Sequence, residues 1–346
     1  TDNYIEGRYI YVELMNDIDL SGTAPKFNNG YVNYFQGEFN GNNHMISGAP
    51  TGSCVFKNFL EGTVKNLTWN IEDTYAYLAE SNGTTSRITL KGCTFDTVNV
   101  TGNVIFPNSN NNNESPLVIY SSGITTFQNV NISANITSAA AYNGIFVGYT
   151  AAWEDEQGYV PTTFNFERCT YSGKAVGDQL GMFFGNPTRM EKALEAGVLE
   201  INVKDCTLNG TITANRADFL VADIGGNQYK EGSELEKLND KIQQTNTLDP
   251  GRLQKAQKIT DYTVRRNSNG ELQIKKNSDS QGIAEIRIAA SVYSNMYNAN
   301  GENMGTYLHT KVESIPVTKL KANAQVYPTL NYGIEFYDGE GELGTT

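Results

Sequence analysis

The chain has 346 residues, of which 39% are hydrophobic and 18% charged, so it can fold and is long enough for two domains. Its net charge is −12, and residues 1–228, with 12 Lys and Arg against 23 Asp and Glu, carry −11 of it. This acidity argues against nucleic acid and anionic lipid as partners. No run of about 18 apolar residues occurs, so the sequence predicts no membrane span in this chain.

The first elements are strand-like. Residues 9–22 alternate between apolar and polar side chains and end in a turn. Residues 34–48 follow, and their Asn40-Gly41 and Asn42-Asn43 pairs are signals of tight turns. No signal peptide opens the chain, which favours a mature form or an excised piece.

A repeated unit comes next. Residues 162–176 and 199–213 match position by position, which aligns Cys169 with Cys206 at a step of 37 residues. Three earlier copies are aligned on Leu67, Cys93 and Val130. Copies that recur every few tens of residues indicate a repeat architecture.

Each copy is predicted to be a strand, a two-residue corner and a second strand. The alternation has period 2 on both sides of the corner, as strands require. The second corner residue is of a type that tolerates a left-handed backbone in every copy except that with Arg168. In the five copies it reads Asn66, Gly92, Asn129, Arg168 and Asp205.

Parallel stacking explains why the same residue type returns to the same place, whereas antiparallel hairpins would not. We use "side-chain ladder" for residues at equivalent positions of successive copies, which stacking would place ~4.8 Å apart. Three inward ladders are predicted: Leu67, Cys93, Val130, Cys169, Cys206; Trp69, Phe95, Ile132, Tyr171, Leu208; and Val64, Leu90, Phe127, Phe166, Val203. The sequence therefore predicts an all-β fold, a parallel β-helix over residues 1–228.

The four cysteines are expected to be buried free thiols. They show no CxxC or CxxH spacing, and the chain has only two histidines, so the sequence predicts no metal site and no cofactor. The fourth, Cys54, lies before the repeats.

Several motifs of the chain resemble those of a known protein family. The series Asn-Asp-Ile-Asp-Leu-Ser-Gly (16–22), Phe-x-Gly-x-Phe-Asn-Gly-Asn-x-His-x-Ile-Ser-Gly (35–48) and Gly-Thr-Val-Lys-Asn-Leu-Thr (62–68) resembles bacterial cell-surface proteins of the GLUG-repeat, pectin-lyase-like type. The segments Gly-Ile-Phe-Val-Gly (144–148) and Gly-Met-Phe-Phe-Gly (181–185) are similar to that family as well. The resemblance covers about residues 9–225 and implies a right-handed β-helix on secreted or surface-anchored, often adhesin-like proteins. It brings no catalytic motif, and the chain departs from it at 218–222, where both glycines are lost, and at the Asn-rich 108–113.

Residues 229–260 are predicted to form a helical cap or linker that closes the last repeat. Ser233 and Glu236 fit a capping box, and Leu235, Leu238 and Ile242 lie on one helical face. A second short helix is expected over residues 253–259. A partner-binding helix is the alternative function for this segment.

Residues 261–346 are predicted to form a small antiparallel, sandwich-like β domain. Asn269-Gly270 signals a hairpin between alternating segments. Asn298, Asn300 and Glu302 superficially suit calcium, but they supply too few carboxylates, and a hairpin turn is the preferred interpretation.

The outward side chains bear on activity. The two outward ladders, Thr68, Thr94, Asn131, Thr170, Thr207 and Thr63, Thr89, Thr126, Asn165, Asn202, contain no carboxylate pair. Cleavage of polysaccharides by acid–base catalysis needs two positioned titratable groups. The sequence thus favours a non-enzyme, and a polysaccharide-active lyase or glycoside hydrolase is the alternative.

One loop has the chemistry of a sugar site. Residues 149–159 combine aromatic rings that can stack on sugars with carboxylates that can hydrogen-bond to them; the candidate ligand-binding residues are Tyr149, Trp153, Glu154, Asp155 and Tyr159. The competing interpretation is a solvated loop in which Trp153 packs on the repeat below. The function expected is that of a secreted or surface-displayed bacterial adhesin-like or scaffold module whose partner is a carbohydrate or a host or cell-surface ligand. A purely structural stalk is a further alternative.

Overall fold

The computed structural model describes residues 9–25, 30–33, 35–57, 59, 61–80, 92–106, 114–138, 142–150, 154–155, 158–222, 230–257, 259–266, 272–297, 303–316, 324–326, 334–337 and 342–345. These residues form mostly β structure, arranged as large parallel sheets followed by smaller antiparallel ones. The predicted all-β class is confirmed at this level.

The elements up to residue 222, in chain order, are β1 (Ile10–Glu13), β2 (Ile18–Asp19), β3 (Gly30–Asn33), β4 (Gln36–Asn40), β5 (Met45–Ser47), β6 (Cys54–Lys57), β7 (Glu61–Thr74), β8 (Tyr77–Glu80), β9 (Gly92–Phe106), β10 (Val118–Ser121), β11 (Ile124–Gln128), β12 (Asn131–Ile132), β13 (Asn135–Ser138), β14 (Asn143–Gly144), β15 (Val147–Thr150), β16 (Glu154–Asp155), β17 (Gly158–Tyr159), β18 (Thr162–Glu167), β19 (Thr170–Tyr171), β20 (Lys174–Gly181), β21 (Phe184–Asn186), α1 (Met190–Glu195), β22 (Leu199–Lys204), β23 (Thr207–Leu208) and β24 (Thr211–Asp218). The later elements are α2 (Glu234–Thr245), a 3-10 turn (Pro250–Arg252), β25 (Leu253–Lys255), β26 (Tyr262–Arg266), β27 (Leu272–Lys276), β28 (Glu285–Tyr297), β29 (Asn303–Pro316), β30 (Ala324–Val326), β31 (Ile334–Tyr337) and β32 (Glu342–Thr345).

Successive copies of the repeat pair in parallel and in register. Phe127 is paired with Phe95 on one side and with Phe166 on the other, and Phe166 is paired with Val203. The same order continues after the corner, where Ile132, Tyr171 and Leu208 are aligned. The predicted parallel pairing of the copies is therefore confirmed.

Two sheets result from this pairing. The larger has 17 strands and contains both halves of each copy. The second has six strands in the order β21-β15-β10-β8-β6-β3, and it aligns Val118, Val147 and Phe184. We call it the six-stranded sheet.

The parallel stack begins before the first of the five aligned copies. β1 pairs with β4, and β4 pairs with β7, so that Val12, Phe39 and Val64 occupy equivalent positions. The segments that resembled isolated strands and tight turns are thus two further copies. Their turn residues Asn42 and Asn43 have φ values of 52° and 63°.

The alignment of one copy was wrong. Val64 pairs with Phe95, not with Leu90, and Leu67 pairs with Val98, not with Cys93. The ladder of Trp69 continues through Val100 rather than Phe95. Leu90 and Thr89 lie outside the described residues. Residues 90–94 share the apolar-x-x-Cys-Thr order of 166–170 and 203–207, but the copy that pairs in register starts five residues further along the chain.

The corner residue of this copy is therefore Thr97 rather than Gly92. The five residues with left-handed φ at the corner are Asn66 (51°), Thr97 (55°), Asn129 (53°), Arg168 (52°) and Asp205 (54°). The predicted corner is confirmed in four copies. A β-branched Thr is disfavoured in this backbone region, which is why local propensity did not identify it.

The ladders build one continuous core. Phe95, Phe127 and Phe166 are buried and stacked, with ring centroids 5.4 Å and 4.9 Å apart. Phe146 and Phe183 of the opposite wall meet the same rings, Phe146 with its edge towards Phe127 and Phe166. Each copy buries little surface by itself, so the core exists only through stacking.

The last copy is closed by α2 and the segment after it. Ser233 accepts a hydrogen bond from the amide of Glu236, while Glu236 Oε2 accepts one from the amide of Gly232. Leu235 and Ile242 belong to the main core. The predicted helix, its N-cap Ser233 and its apolar face are confirmed, whereas the return bond of the predicted capping box goes to the amide of Gly232 and not to that of Ser233.

The second short helix predicted at 253–259 is wrong. Leu253–Lys255 is the strand β25, which pairs in parallel with residues 212–214 of β24. The free edge of β24 supplies partners for its backbone, and this tertiary pairing overrides local helical propensity. The sequence analysis also missed α1, whose Glu191 carboxylate accepts hydrogen bonds from the amides of Glu234 and Leu235, both at 2.9 Å.

The C-terminal part is antiparallel. β26 and β27 form a hairpin with β30 beside it, and β28 pairs with β29 and β31. The predicted hairpin around Asn269-Gly270 is confirmed by its two strands, and its turn lies outside the described residues, as do Asn298, Asn300 and Glu302. Tyr297 of β28 pairs with Asn303 of β29.

Candidate functional site

The outward ladders of the large sheet consist of small polar side chains. With the corrected register they read Thr63, Thr94, Thr126, Asn165, Asn202 and Thr68, Asn99, Asn131, Thr170, Thr207. Their members hydrogen-bond to one another: Asn202 Nδ2 donates to Asn165 Oδ1 at 3.1 Å, and Asn165 Nδ2 donates to Thr126 Oγ1 at 3.3 Å. These groups therefore support the stacking of the copies.

A charged outward ladder was missed by the sequence analysis. It runs through Lys65, Asp96, Gln128, Glu167 and Lys204. Lys65 forms an ion pair with Glu38 at 2.7 Å, and Glu167 forms ion pairs with Arg168 and Lys204. The pattern could have been found from the first residue of each two-residue corner, once the copies were aligned.

The corner side chains extend this network. Arg168 Nε donates to Asn129 Oδ1 at 2.7 Å, and Asn129 Nδ2 donates to Asp96 Oδ1 at 2.8 Å. The Asp96 and Glu167 carboxylates are thus both bound by neighbouring donors. This arrangement satisfies the charges of both carboxylates between neighbouring copies.

The six-stranded sheet carries a different kind of surface. Cys54, Tyr77 and Ile119 form a small apolar cluster apart from the main core, with Tyr75 and Tyr120 packed against it. We call these five residues, together with Tyr149, the tyrosine cluster. The rings of Tyr120 and Tyr149, which are paired on neighbouring strands, meet edge to face with centroids 6.0 Å apart.

Polar groups border the tyrosine cluster. Lys57 and Glu80 are paired across β6 and β8 and form an ion pair, and Tyr77 OH donates to Glu80 Oε2 at 3.3 Å. Burial raises the pKa of Cys54 to about 12, and the charge of Lys57 only partly offsets the rise. Burial also raises the pKa of Tyr77 well above its usual value. The thiol is therefore protonated and is not a nucleophile at neutral pH.

Glu114 has the most perturbed carboxyl group of the described residues. It is 3% exposed, and burial raises its pKa from 4.5 to about 8. Its backbone pairs with that of Asn143, whose Oδ1 is buried and has no hydrogen-bond partner within the described part of the chain. At neutral pH the folded chain therefore holds Glu114 as a neutral carboxylic acid.

The residues predicted to bind sugar are placed as follows. Tyr149 lies on β15 and is 8% exposed; burial raises its pKa, and Arg189 partly offsets the rise. The backbones of Glu154 and Asp155 form β16, which pairs antiparallel with β17, so that Glu154 is opposite Tyr159. Trp153 lies outside the described residues. The structure thus brings the backbones of Glu154 and Tyr159 together, and it places the Tyr149 ring in the tyrosine cluster.

In the described ranges, no group of three or more His, Cys, Asp or Glu side chains is arranged to hold a metal ion. The two described helices, of 6 and 12 residues, are too short and too polar to cross a bilayer.

Comparisons with known proteins add little. No protein-family profile matches the chain, and no curated protein matches it. Among solved structures, the chain is similar to a crystal structure from Bacteroides ovatus of a protein provisionally assigned as an immunoglobulin A1 protease. The identity is 13%, the TM-score is 0.34, and the match covers 77% of this chain and 86% of that one. A likeness at this level supports no statement about activity.

Proposed function

We propose that the chain is a right-handed parallel β-helix of the GLUG-repeat, pectin-lyase-like type over residues 1–228. A helical cap at 229–260 and a small sandwich-like domain at 261–346 complete it in this proposal. Its function is that of a secreted or surface-displayed bacterial adhesin-like or scaffold module. The in-register parallel pairing of successive copies and the recurrent left-handed corner support the fold.

The observation that carries the functional proposal is that the outward polar groups of the large sheet are hydrogen-bonded or ion-paired to one another. Its amides and hydroxyls hydrogen-bond between copies. In the charged ladder, Asp96 accepts a hydrogen bond from Asn129 and Glu167 pairs with Arg168 and Lys204, while Lys65 pairs with Glu38 beside the ladder. General acid–base cleavage needs a proton donor and an acceptor with separately tuned pKa values. A surface that engages its polar groups internally favours binding or scaffolding over turnover.

Within this proposal, residues 149–159 form the glycan-binding site. Trp153 and Tyr159 supply the rings on which a sugar stacks, and Glu154 and Asp155 accept its hydroxyl hydrogens. Tyr149, being 8% exposed, anchors the loop to the tyrosine cluster rather than contacting the ligand.

The test is a screen of the full chain on neutral and acidic glycans, with an assay for new sugar ends on every glycan that binds. We expect binding without cleavage, and we expect Trp153→Ala to weaken it about tenfold, by loss of stacking. Tyr11→Ala is the matched control, since Tyr11 is an aromatic residue with 76% exposure outside the loop. Unchanged binding in Trp153→Ala would remove the loop from the proposal. New sugar ends whose release is abolished by Asp155→Ala or Glu156→Ala would contradict the non-enzymatic function.

The second candidate function is that of a polysaccharide-active lyase or glycoside hydrolase. The specific observation in its favour is the neutral, buried Glu114, because a carboxylic acid kept protonated at neutral pH has the form of a general acid. Turnover that is lost in Glu114→Gln while the variant remains folded would support it.

A further inference from the structure

The described backbone groups at the two ends of the parallel stack differ in whether they have hydrogen-bond partners. At the C-terminal end, Asn246 Oδ1 accepts from the amide of Cys206 at 2.8 Å, and Asn246 Nδ2 donates to the carbonyl of Val203 at 3.2 Å. Thr247 and β25 then pair with β23 and β24. The backbone groups of the last copy are therefore satisfied by the chain itself.

The N-terminal end has no such cover among the described residues. β1 pairs with β4 alone, and β2 pairs with β5 alone. The amide of Leu14 donates to the carbonyl of Asn40 at 3.0 Å, so alternation directs the backbone groups of Val12 towards β4 and those of Tyr11 and Glu13 away from it. Tyr11 and Glu13 thus present a strand edge ready for pairing.

Exposed apolar side chains concentrate at this edge. Among the residues whose burial the structure describes, five large hydrophobic side chains are exposed, and four of them are Tyr9, Ile10, Tyr11 and Met15, at 48%, 41%, 76% and 74% exposure. A contiguous group of this kind on a folded chain is typical of an interaction site. Ile124, at 49%, stands apart from it.

The charge of the edge indicates the kind of partner. Residues 9–25 contain Glu13, Asp17 and Asp19, all exposed, and no Lys or Arg. Asp17 has His44 as its partner at 3.2 Å, while its side chain remains 63% exposed. A second copy would bring the same acids together, so the edge is matched by a basic strand.

We propose that the edge formed by β1 and β2 binds an extended, basic segment of a partner protein, which adds a strand to the large sheet. The partner's main chain pairs with the backbone of Tyr11 and Glu13. Its apolar side chains cover the exposed rings of Tyr9 and Tyr11, and its Lys or Arg side chains face Glu13 and Asp17. This interaction does not depend on the proposed glycan site, because it uses the strand edge and acidic side chains of residues 9–19 and not the loop at 149–159.

The experiment titrates the full chain with three synthetic heptapeptides, measured by fluorescence anisotropy at low and high salt. One alternates lysine and valine, the second alternates glutamate and valine, and the third is the lysine peptide with alternate amides N-methylated. We expect the basic peptide to bind at least about tenfold tighter than either of the others, and salt to weaken it. Equal binding of all three peptides, or binding of the N-methylated one, would overturn strand addition.

Variants locate the site. Tyr11→Pro removes a donor that faces the free edge, and edge strands tolerate proline there. We expect it to abolish binding with an unchanged melting temperature. Glu13→Lys, which leaves the backbone intact, should weaken the basic peptide about tenfold even if the proline variant fails to fold. Ile124→Ala is the matched control for exposed apolar surface and should bind normally. Loss of binding in the control alone, or a concentration-dependent dimer abolished by Glu13→Lys, would refute the assignment of a basic partner to this edge.

Discussion

Replacing Glu114 by Gln tests the most perturbed acid of the described chain. Burial raises the pKa of this carboxyl from 4.5 to about 8 in the folded state. Below about pH 4.5 both states hold the proton, so the group makes no pH-dependent difference. Between pH 4.5 and about pH 8 the unfolded chain releases the proton while the folded chain retains it, so the free energy of unfolding falls as pH rises.

The width of this pH window gives the size of the effect. Each pH unit within it lowers the free energy of unfolding by about 1.4 kcal/mol, so the loss reaches roughly 3 kcal/mol at pH 7. It levels off at about 5 kcal/mol once the carboxyl of the folded chain also ionises near pH 8. Gln is neutral and nearly isosteric, so Glu114→Gln should unfold at the same urea concentration as the parent at low pH and at a higher one at pH 8. The pKa of Tyr77, the neighbouring phenol, is raised well above its usual value, so Tyr77 does not titrate in this range.

The assay is urea unfolding of parent and variant at matched pH values, because the difference removes the contribution of every other carboxyl. Glu200→Gln, at an exposed position, is the control and should show no such difference. Parallel pH profiles of the parent and Glu114→Gln would refute the burial of an uncharged Glu114.

The remaining expectations concern the corner, the thiols and the C-terminal sheet. Asn129→Val should cost on the order of 1–3 kcal/mol through backbone strain, with loss of its bonds to Asp96 and Arg168 added, whereas Gln128→Val should cost little; equal melting temperatures would contradict the corner. Thr97→Asn should raise the melting temperature, since it relieves a β-branched residue at a φ of 55°, and a lower one would argue against strain there. All four cysteines are buried and unbridged, so four thiols should titrate in denaturant without reductant and react slowly in the folded chain; fewer than four would contradict the register. Burial of Asp261 opposes its ionisation, but hydrogen bonds from Ser278 and from the amide of Gln281 outweigh burial and lower the pKa of the Asp261 carboxyl. Ionised Asp261 therefore stabilises the fold above the usual Asp pKa, and this stabilisation is lost as pH falls. Asp261→Asn should remove this acid dependence of unfolding, and an unchanged midpoint of acid unfolding would contradict the role of Asp261.

Much of the repeat region could be derived from local patterns. Period-2 alternation and the matched positions of Cys169 and Cys206 were sufficient to align the later copies, because identical residue types recur only when copies stack in register. The capping box of Ser233 and Glu236 likewise identified α2, since both hydrogen bonds are made within one helical turn. The strand alternation and the helix cap depend on residues close together in the sequence, so the sequence alone predicts them.

Tertiary structure decided the rest. The register of β9, with Thr97 and not Gly92 at the corner, depends on which residues of β7 and β11 it pairs with, and the spacing between copies in the sequence does not reveal that choice. β25 is a strand because the edge of β24 is open to it. The tyrosine cluster joins residues from four separate segments of the chain, and the pKa of Glu114 is set by the extent of its burial. Burial is a property of the assembled stack, so the chemistry of this surface could not be inferred from the order of its residues.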